Sequence, residues 1–215
     1  MAKEFKIPGA TIERISLYSR PLERILERGV AVVSSEQLAR FCSVNPAQVR
    51  KDLSYFGEFG VRGIGYDVRH LLGEIKKILV SDREWRVGIV GLGNLGTALV
   101  QDENFLNRGY NFVAAFDADP AKIGLRLPGG LIIEPPSKIG PLTPALDIEV
   151  GLIATQPSEA EGVAKLLVKA GIKAILNFTP IQLRKRKSCL VENVDFTVSL
   201  DNLAYRLNRS DEEGP

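Results

Sequence analysis

The chain is poor in the residues that build metal centres, disulfide frameworks and most hydrolytic active sites: its 215 residues include two cysteines, one histidine, one tryptophan and one methionine. Cys42 and Cys189 are too few for a disulfide framework. Cys42 falls on an apolar helical face and Cys189 beside an expected strand, the setting of buried, inert thiols rather than redox centres. His70 has no cysteine or second histidine nearby, so it makes no metal site and is expected on the surface. No apolar run approaches the roughly twenty residues of a membrane span, and residues 1–8 lack the apolar core of a secretory signal. A cytoplasmic protein without metal or membrane is expected. An excess of one charge is missing too: 28 Lys and Arg face 26 Asp and Glu, divided 14 to 11 over residues 1–85 and 14 to 15 over 86–215. That balance does not by itself indicate nucleic-acid binding, so the placement of the charges has to carry the argument.

The length suits one large core or two smaller ones. Ile12, Ile15, Leu22, Ile25 and Leu26 predict a helix over 11–28, stopped by Gly29 and kinked or broken near Ser19 ahead of Pro21. Ser34 and Gln37 form a capping-box pattern opening a second helix with Leu38, Ala39, Phe41 and Cys42. After a tight turn at Ser43 and Val44, Asn45 caps a third helix, with Pro46 in its first turn and Gln48 at the capping-box spacing.

That third helix, over 46–56, turns Val49, Leu53 and Phe56 inward and offers Ala47, Gln48, Arg50, Lys51 and Ser54 to the outside. Gln and Arg make bidentate contacts to purine edges in the major groove, whereas Lys51 and Ser54 suit phosphates. A solvated helix face has the same composition. Residues 57–66 follow, with four glycines, Gly57, Gly60, Gly63 and Gly65, and Arg62 near their middle, the pattern of a glycine-tipped β-hairpin. An arginine on such a tip fits an A·T-rich minor groove, although a plain tight hairpin has the same glycines. Turn, polar helix face and arginine-tipped hairpin together predict a winged helix-turn-helix. Asp67 caps a further helix with Leu71, Leu72, Ile75, Ile78 and Leu79, and 81–84 is a polar linker.

Beyond the linker the chain alternates as a parallel α/β fold does, with strands expected over 86–90, 111–116, 131–133, 148–154 and 174–177 and helices over 95–105 and 158–170. Gly91, Leu92, Gly93, Asn94, Leu95 and Gly96 form a GxGxxG turn between the first strand and the first helix, and Asp117 stands 21 residues after Gly96 at the end of the second strand. In that context the glycines serve a tight turn and close approach of a pyrophosphate to a helix N-terminus, and the carboxylate accepts from a ribose 2′-hydroxyl while repelling a 2′-phosphate. NAD(H) is the expected cofactor in a Rossmann-type domain. Asp119 with Pro120 reads as a helix cap. Hydride transfer to a carbonyl needs a positioned proton donor, yet His70, Tyr55 and Tyr66 lie in the first module and Tyr110 enters the second strand away from the cofactor end. No substrate domain follows, so an enzyme is not expected. The division is 1–80 for the winged helix, 85–197 for the Rossmann domain and 198–215 for a C-terminal helix and tail.

The strings RKDLSYFGEFGVRGIGY (50–66), GLGNLGTAL (91–99), FDADPAKIG (116–124), GIKAILNF (171–178) and VENVDF (191–196) resemble the Rex family of redox-sensing transcriptional repressors, over about 7–206. The first string is highly specific and the second is generic alone. The resemblance implies a homodimer that represses genes of fermentation and anaerobic respiration when NAD+ predominates and leaves operator DNA when NADH binds. It implies that the tail over 195–209 contains a helix exchanged between protomers. Leu200, Leu203 and Leu207 fit an apolar face needing a partner, and packing on its own domain explains them equally well. It assigns Phe196 to redox discrimination near the nicotinamide, adds Lys122 and Thr155 to the cofactor site and Tyr55 and Gly60 to the DNA surface, and places Asp195 with Arg20 in a contact across the dimer. The family commonly has a tyrosine six residues after Gly96 that engages the partner's Asp195; this chain has Asp102 there. Two carboxylates would repel unless Arg20 or a water intervenes, or Asp102 faces solvent. The alternatives are a small NAD-dependent oxidoreductase with a basic N-terminal appendage, and a DNA-binding family member with a weakened NADH response.

Overall fold

The computed structural model describes residues 7–61, 63–79 and 83–212. Two units divide the chain, Met1–Arg83 and Glu84–Pro215.

The first unit opens with α1 (Gly9–Glu27), closed by Arg28 and by Gly29 at φ 74°. Ile15, Tyr18 and Leu22 are fully buried on its inner stripe, while Ile12, expected there, is 37% exposed and Tyr18 takes its place. The expected break near Ser19 does not occur. Pro21 cannot donate to the Leu17 carbonyl, but the Cys42 thiol does so at 3.7 Å, and the Ser19 hydroxyl donates to the Ser16 carbonyl at 2.8 Å. Strand β1 (Val32–Val33) leads to α2 (Ser35–Cys42), whose capping box is complete: Ser34 Oγ accepts from the Gln37 N–H and Gln37 Oε1 from the Ser34 N–H. Phe41 stays on the surface. Ser43 turns the chain at φ 54° into α3 (Pro46–Ser54), which ends two residues earlier than its pattern predicts.

The hairpin β2 (Gly60–Val61) and β3 (Gly65–Asp67) completes a three-stranded antiparallel sheet in the order β1-β3-β2. The Ile64 N–H donates to the Val61 carbonyl at 3.0 Å around Gly63 at φ 82°; Arg62, the expected tip residue, lies outside the described residues. Asp67 then caps α4 (Val68–Ile78), which buries Leu71, Leu72 and Ile75 and leaves His70 exposed. Helix, helix, turn, helix and a two-stranded wing around one apolar core make this unit a winged helix.

The second unit is built on β4 (Trp85–Val90), β5 (Tyr110–Phe116), β6 (Ile133–Glu134), β7 (Val150–Ile153), β8 (Ala174–Asn177) and β9 (Leu190–Asn193). All pair in parallel, in the order β6-β5-β4-β7-β8-β9. Counted from β4 this is 3-2-1-4-5-6, the doubly wound dinucleotide-binding arrangement, and its order reverses between β4 and β7. The crossovers are α5 (Asn94–Gln101) with α6 (Glu103–Asn107), then α7 (Ile139–Ala145) and α8 (Ala160–Lys169). Val87, Ile89, Leu92, Ala115, Ile133 and Leu152 form the core on one face of the sheet, and Phe116, Ile139, Ile153, Ala164, Leu167 and Ile175 belong to that on the other.

Several expectations need correction. The helix expected over 95–105 is two helices, because Asp102 adopts φ −78°, ψ 107° and caps the second. Asp119 caps only a turn, its Oδ1 accepting from the Ala121 N–H at 2.9 Å, and no helix bridges β5 and β6. Helix α7 and strand β9 had no sequence signal strong enough to predict them. The C-terminal helix α9 (Phe196–Glu212) begins two residues before the expected boundary at 198.

Candidate nucleotide pocket and nucleic-acid interface

The carboxyl ends of β4, β5, β7 and β8 surround a cavity of about 750 Å³ lined by Gly91, Gly93, Asn94, Leu95, Asp117, Lys122, Thr155 and Phe178 among others. Its position at the switch point is where open α/β sheets take ligands. The three glycines do different things. At Gly91, φ is 98° and a Cβ would lie 2.6 Å from the backbone of Ala154, so no side chain fits where the turn crosses the end of β7. At Gly96 a Cβ would collide with the Gly91 carbonyl oxygen, so only glycine lets α5 pack this tightly on the turn. At Gly93 a Cβ would meet nothing within 4 Å. Gly93 lines the cavity at the N-terminus of α5, where a phosphate needs backbone without a side chain.

Asp117 holds this turn. Its Oδ2 accepts from the Leu92 N–H at 2.7 Å and from Lys122 Nζ at 3.1 Å, and its Oδ1 from the Asp119 N–H at 2.9 Å. Burial would raise its pKa, but the Asp119 and Leu92 N–H groups and Lys122 outweigh that and hold it below the ordinary carboxylate range. The residue expected to meet a ribose thus also braces the phosphate turn, and Oδ1, with a single internal donor, keeps acceptor capacity for a hydroxyl. Thr155 is half-buried at the end of β7. Phe196 begins α9 and stacks on Phe178 at 6.3 Å between centroids and 27° between planes, so an aromatic pair borders the cavity at its Phe178 side. Phe178 was not anticipated; its place directly after β8 was the available signal.

In the winged-helix unit, Lys51 and Ser54 are exposed on α3, Tyr55 is half-buried and Gly60 is exposed. Gly60 also has a packing role, since a Cβ there would lie 2.7 Å from the Tyr66 ring. Arg50 is exposed but tethered, donating to Ser35 Oγ at 2.8 Å beside the Glu36 carboxylate at 3.4 Å. Gln48 does not close a capping box. Asn45 Oδ1 accepts from the Gln48 N–H at 2.7 Å, but Gln48 Nε2 donates to Asp52 at 2.8 Å. Asp52 is wholly buried and was missed in the sequence. Arg14 grips both its oxygens, Nε to Oδ2 at 2.6 Å and an Nη to Oδ1 at 2.7 Å, and Tyr18 Oη donates at 2.7 Å. Burial alone would raise the Asp52 pKa; the hydrogen bonds from Arg14, Tyr18 and Gln48 hold it low, so it is an anion locking α3 to α1.

The remaining sequence-derived positions are Arg20, Asp102 and Asp195, the last directly before Phe196. Arg20 is exposed on α1. Asp102 Oδ1 accepts from the Asn104 N–H at 3.0 Å and from Asn104 Nδ2 at 2.7 Å. Asp195 caps α9 through the Thr197 hydroxyl at 2.6 Å and N–H at 2.9 Å, which lower its pKa. Burial pushes the Cys42 and Cys189 thiols up, away from reactive thiolates. Among the described residues no group of three or more His, Cys, Asp and Glu could hold a metal ion, and no helix is long and apolar enough to cross a membrane.

A winged helix and a dinucleotide-type Rossmann unit in one chain define the class of nucleotide-binding transcription regulators. Comparison with known families agrees: residues 6–54 match the model described as "Putative DNA-binding protein N-terminus", and residues 82–181 match the CoA binding domain. The redox-sensing transcriptional repressor Rex of Syntrophobacter fumaroxidans is 54% identical over 203 residues, 94% of this chain and 97% of that protein. Rex of Carboxydothermus hydrogenoformans is 44% identical over 96% of this chain and 99% of its own length. The solved structure of RSP in complex with β-NAD+ and operator DNA has a TM-score of 0.89 at 34% identity, covering 97% of this chain and 95% of that one. RSP, a Rex-family repressor, is also solved with β-NADH, at TM-score 0.87, 33% identity and 97% of both chains. The chain belongs to the Rex family of redox-sensing transcriptional repressors.

Proposed function

We propose that this chain is an NADH-responsive transcriptional repressor, binding operator DNA when NADH is low and releasing it when NADH enters the Rossmann cavity. The observation that carries the reading is that RSP, alike over both units, has been solved with β-NAD+ and operator DNA and separately with β-NADH. The glycine turn fits that cofactor, because Gly93 leaves backbone bare on the cavity side. Gly91, Leu92, Gly93, Asn94, Leu95 and Gly96 receive the pyrophosphate, Asp117 with Lys122 the ribose side, and Thr155 and Phe196 the nicotinamide side. The nicotinamide carries the redox signal, cationic when oxidised and neutral when reduced. An apolar surround such as the Phe178 and Phe196 rings penalises only the cationic form, which favours NADH.

DNA is held by Gln48, Arg50, Lys51, Ser54 and Tyr55 of the α3 region, with Gly60 and Arg62 of the wing. The working division is 1–80 for DNA, 85–197 for NAD(H) and 198–215 for dimerisation. The protein acts in the cytoplasm as a homodimer and catalyses no reaction. The exposed apolar residues of α9 support an exchanged helix: Phe196, Val198, Leu200, Leu203, Tyr205 and Leu207 are each more than half exposed, and a 17-residue helix this poorly covered gains little from propensity alone. Arg20, Asp102 and Asp195 form the switch set that links dimer geometry to half-site spacing.

The test is a gel shift with full-length protein on palindromic duplexes selected by the protein itself, with NAD+ or NADH present. NADH should release the duplex and NAD+ should not. Sequence-specific binding indifferent to NADH would leave a constitutive DNA-binding protein, and NADH oxidation without DNA binding would leave an oxidoreductase.

A further inference from the structure

The buried anion in the recognition helix decides which way a neighbouring amide faces. Asp52 is ionised and has no proton to donate, and its Oδ1 lies 2.8 Å from the amide of Gln48, one helical turn earlier. Only the amide nitrogen can meet a carboxylate at that distance. Oδ1 also receives an Arg14 Nη at 2.7 Å and the Thr11 hydroxyl at 3.3 Å, while Oδ2 receives Arg14 Nε and Tyr18 Oη, so Asp52 is itself held by α1 and cannot swing to accommodate a reversed amide. Gln48 is half-buried in the first turn of α3, the part of a recognition helix that meets base edges.

We infer that Asp52 is a positioning residue that fixes the Gln48 amide with its carbonyl oxygen outward, so that Gln48 reads an exocyclic amine, adenine N6 or cytosine N4, in the major groove. Free glutamine presents either a donor or an acceptor. Here the oxygen is always presented, and at most one N–H beside it remains for an adjacent N7. Guanine and thymine carry no amine on the major-groove edge, so they leave the outward oxygen without a donor and are disfavoured at this position. The inference rests on the DNA-binding reading above and adds to it the contact that Gln48 makes.

The test uses full-length protein with NAD+ and a duplex chosen by the parent from a random-sequence pool. Single major-groove amines are then deleted from that duplex, purine replacing adenine and 2-pyrimidinone replacing cytosine, and binding is measured for the parent and for Gln48→Ala. One amine deletion in each half-site should weaken the parent roughly 5- to 150-fold, the range of a good base contact, and leave Gln48→Ala unaffected. Asp52→Asn, which lets the amide reverse, should lose the same amine dependence while keeping the parent's dependence on salt. If Asp52→Asn does not fold, replacing the contacted base pair so that guanine or thymine stands at that position decides: a fixed amide loses the contact, and parental binding through a reversed amide overturns the inference. The inference is overturned if no amine deletion distinguishes the parent from Gln48→Ala, or if the distinction arises only with 7-deaza bases that lack an acceptor. A parent that selects no sequence overturns the operator reading itself, an outcome separate from either.

Discussion

Gly93→Thr should abolish NADH binding without harming the fold. The residue is the N-cap of α5 at φ −75°, ψ −167°, extended backbone open to any side chain, and its Cβ would meet nothing within 4 Å. Threonine caps a helix about as well as glycine, so the unliganded protein should stay within about 0.5 kcal/mol of the parent, which is less than about 2 °C in Tm for a unit of this size. The added atoms, however, project into the space where a pyrophosphate must approach the α5 N-terminus. At NADH concentrations about 100-fold above Kd the parent gains roughly 2.7 kcal/mol, or near 10 °C, and the variant should gain none.

Gly96→Ala is the control with the opposite signature. Its Cβ would collide with the Gly91 carbonyl oxygen, backbone against backbone, so helix and turn must separate. A cost of about 1–3 kcal/mol is expected before any ligand is added. Thermal unfolding of the three proteins, with and without NADH, separates the effects. An NADH-induced shift in Gly93→Thr equal to the parent's would refute the phosphate cradle. A low unliganded Tm for Gly93→Thr, matching Gly96→Ala, would show that Gly93 is a packing residue.

Three other measurements bear on the remaining groups. Asp52 and Asp117 titrate below their ordinary range when folded, so the stability they add is complete above about pH 4 and lost as pH falls through their lowered values; acid unfolding followed by circular dichroism should show a plateau and then this decline. Tyr18 is raised by its burial and by Asp52, so its contribution is complete below about pH 10 and drops as pH rises further, and a flat alkaline limb would contradict the network. Lys51→Ala should weaken all duplexes alike and reduce the slope of log affinity against log salt by about one, whereas Arg62→Ala should weaken mainly duplexes with A·T-rich flanks; parental behaviour in both variants would count against the winged-helix interface. Asp102→Tyr gives up the Asn104 cap, costing about 1 kcal/mol, yet should strengthen NADH-driven release from DNA with NADH affinity nearly unchanged; equal release by the two proteins would remove Asp102 from the coupling.

What the sequence made legible and what it hid divide along the distance between interacting groups. The glycine turn, the Ser34 and Gln37 capping box and the Asn45 and Asp67 caps are local, and each is present as its spacing predicts. Pro21 misleads because its compensating donor, Cys42, comes from another helix. Helix α7 contains Pro144, which propensity argues against, and β9 has no fully buried residue, so neither pattern stands out. Asp117 is found by spacing, but that spacing says nothing of the Leu92 N–H that makes the same carboxylate part of the turn.

Asp52 is the most instructive miss. On the helix wheel it sits beside Val49 and Leu53, and a buried carboxylate there is improbable on desolvation cost alone. Its partner Arg14 lies 38 residues upstream, at a separation no local pattern spans. The single local clue was Gln48 one turn before it, an i, i+4 pair that stabilises helices modestly and so attracts no notice. Once Arg14 and Tyr18 close on the carboxylate, breaking one partner strands a buried charge, so the pair fixes geometry more than it adds stability. A recognition helix whose reading side chain is oriented from inside the core is therefore invisible to any argument that assigns exposed residues to DNA and buried ones to packing, because Asp52 is buried and acts on the exposed face.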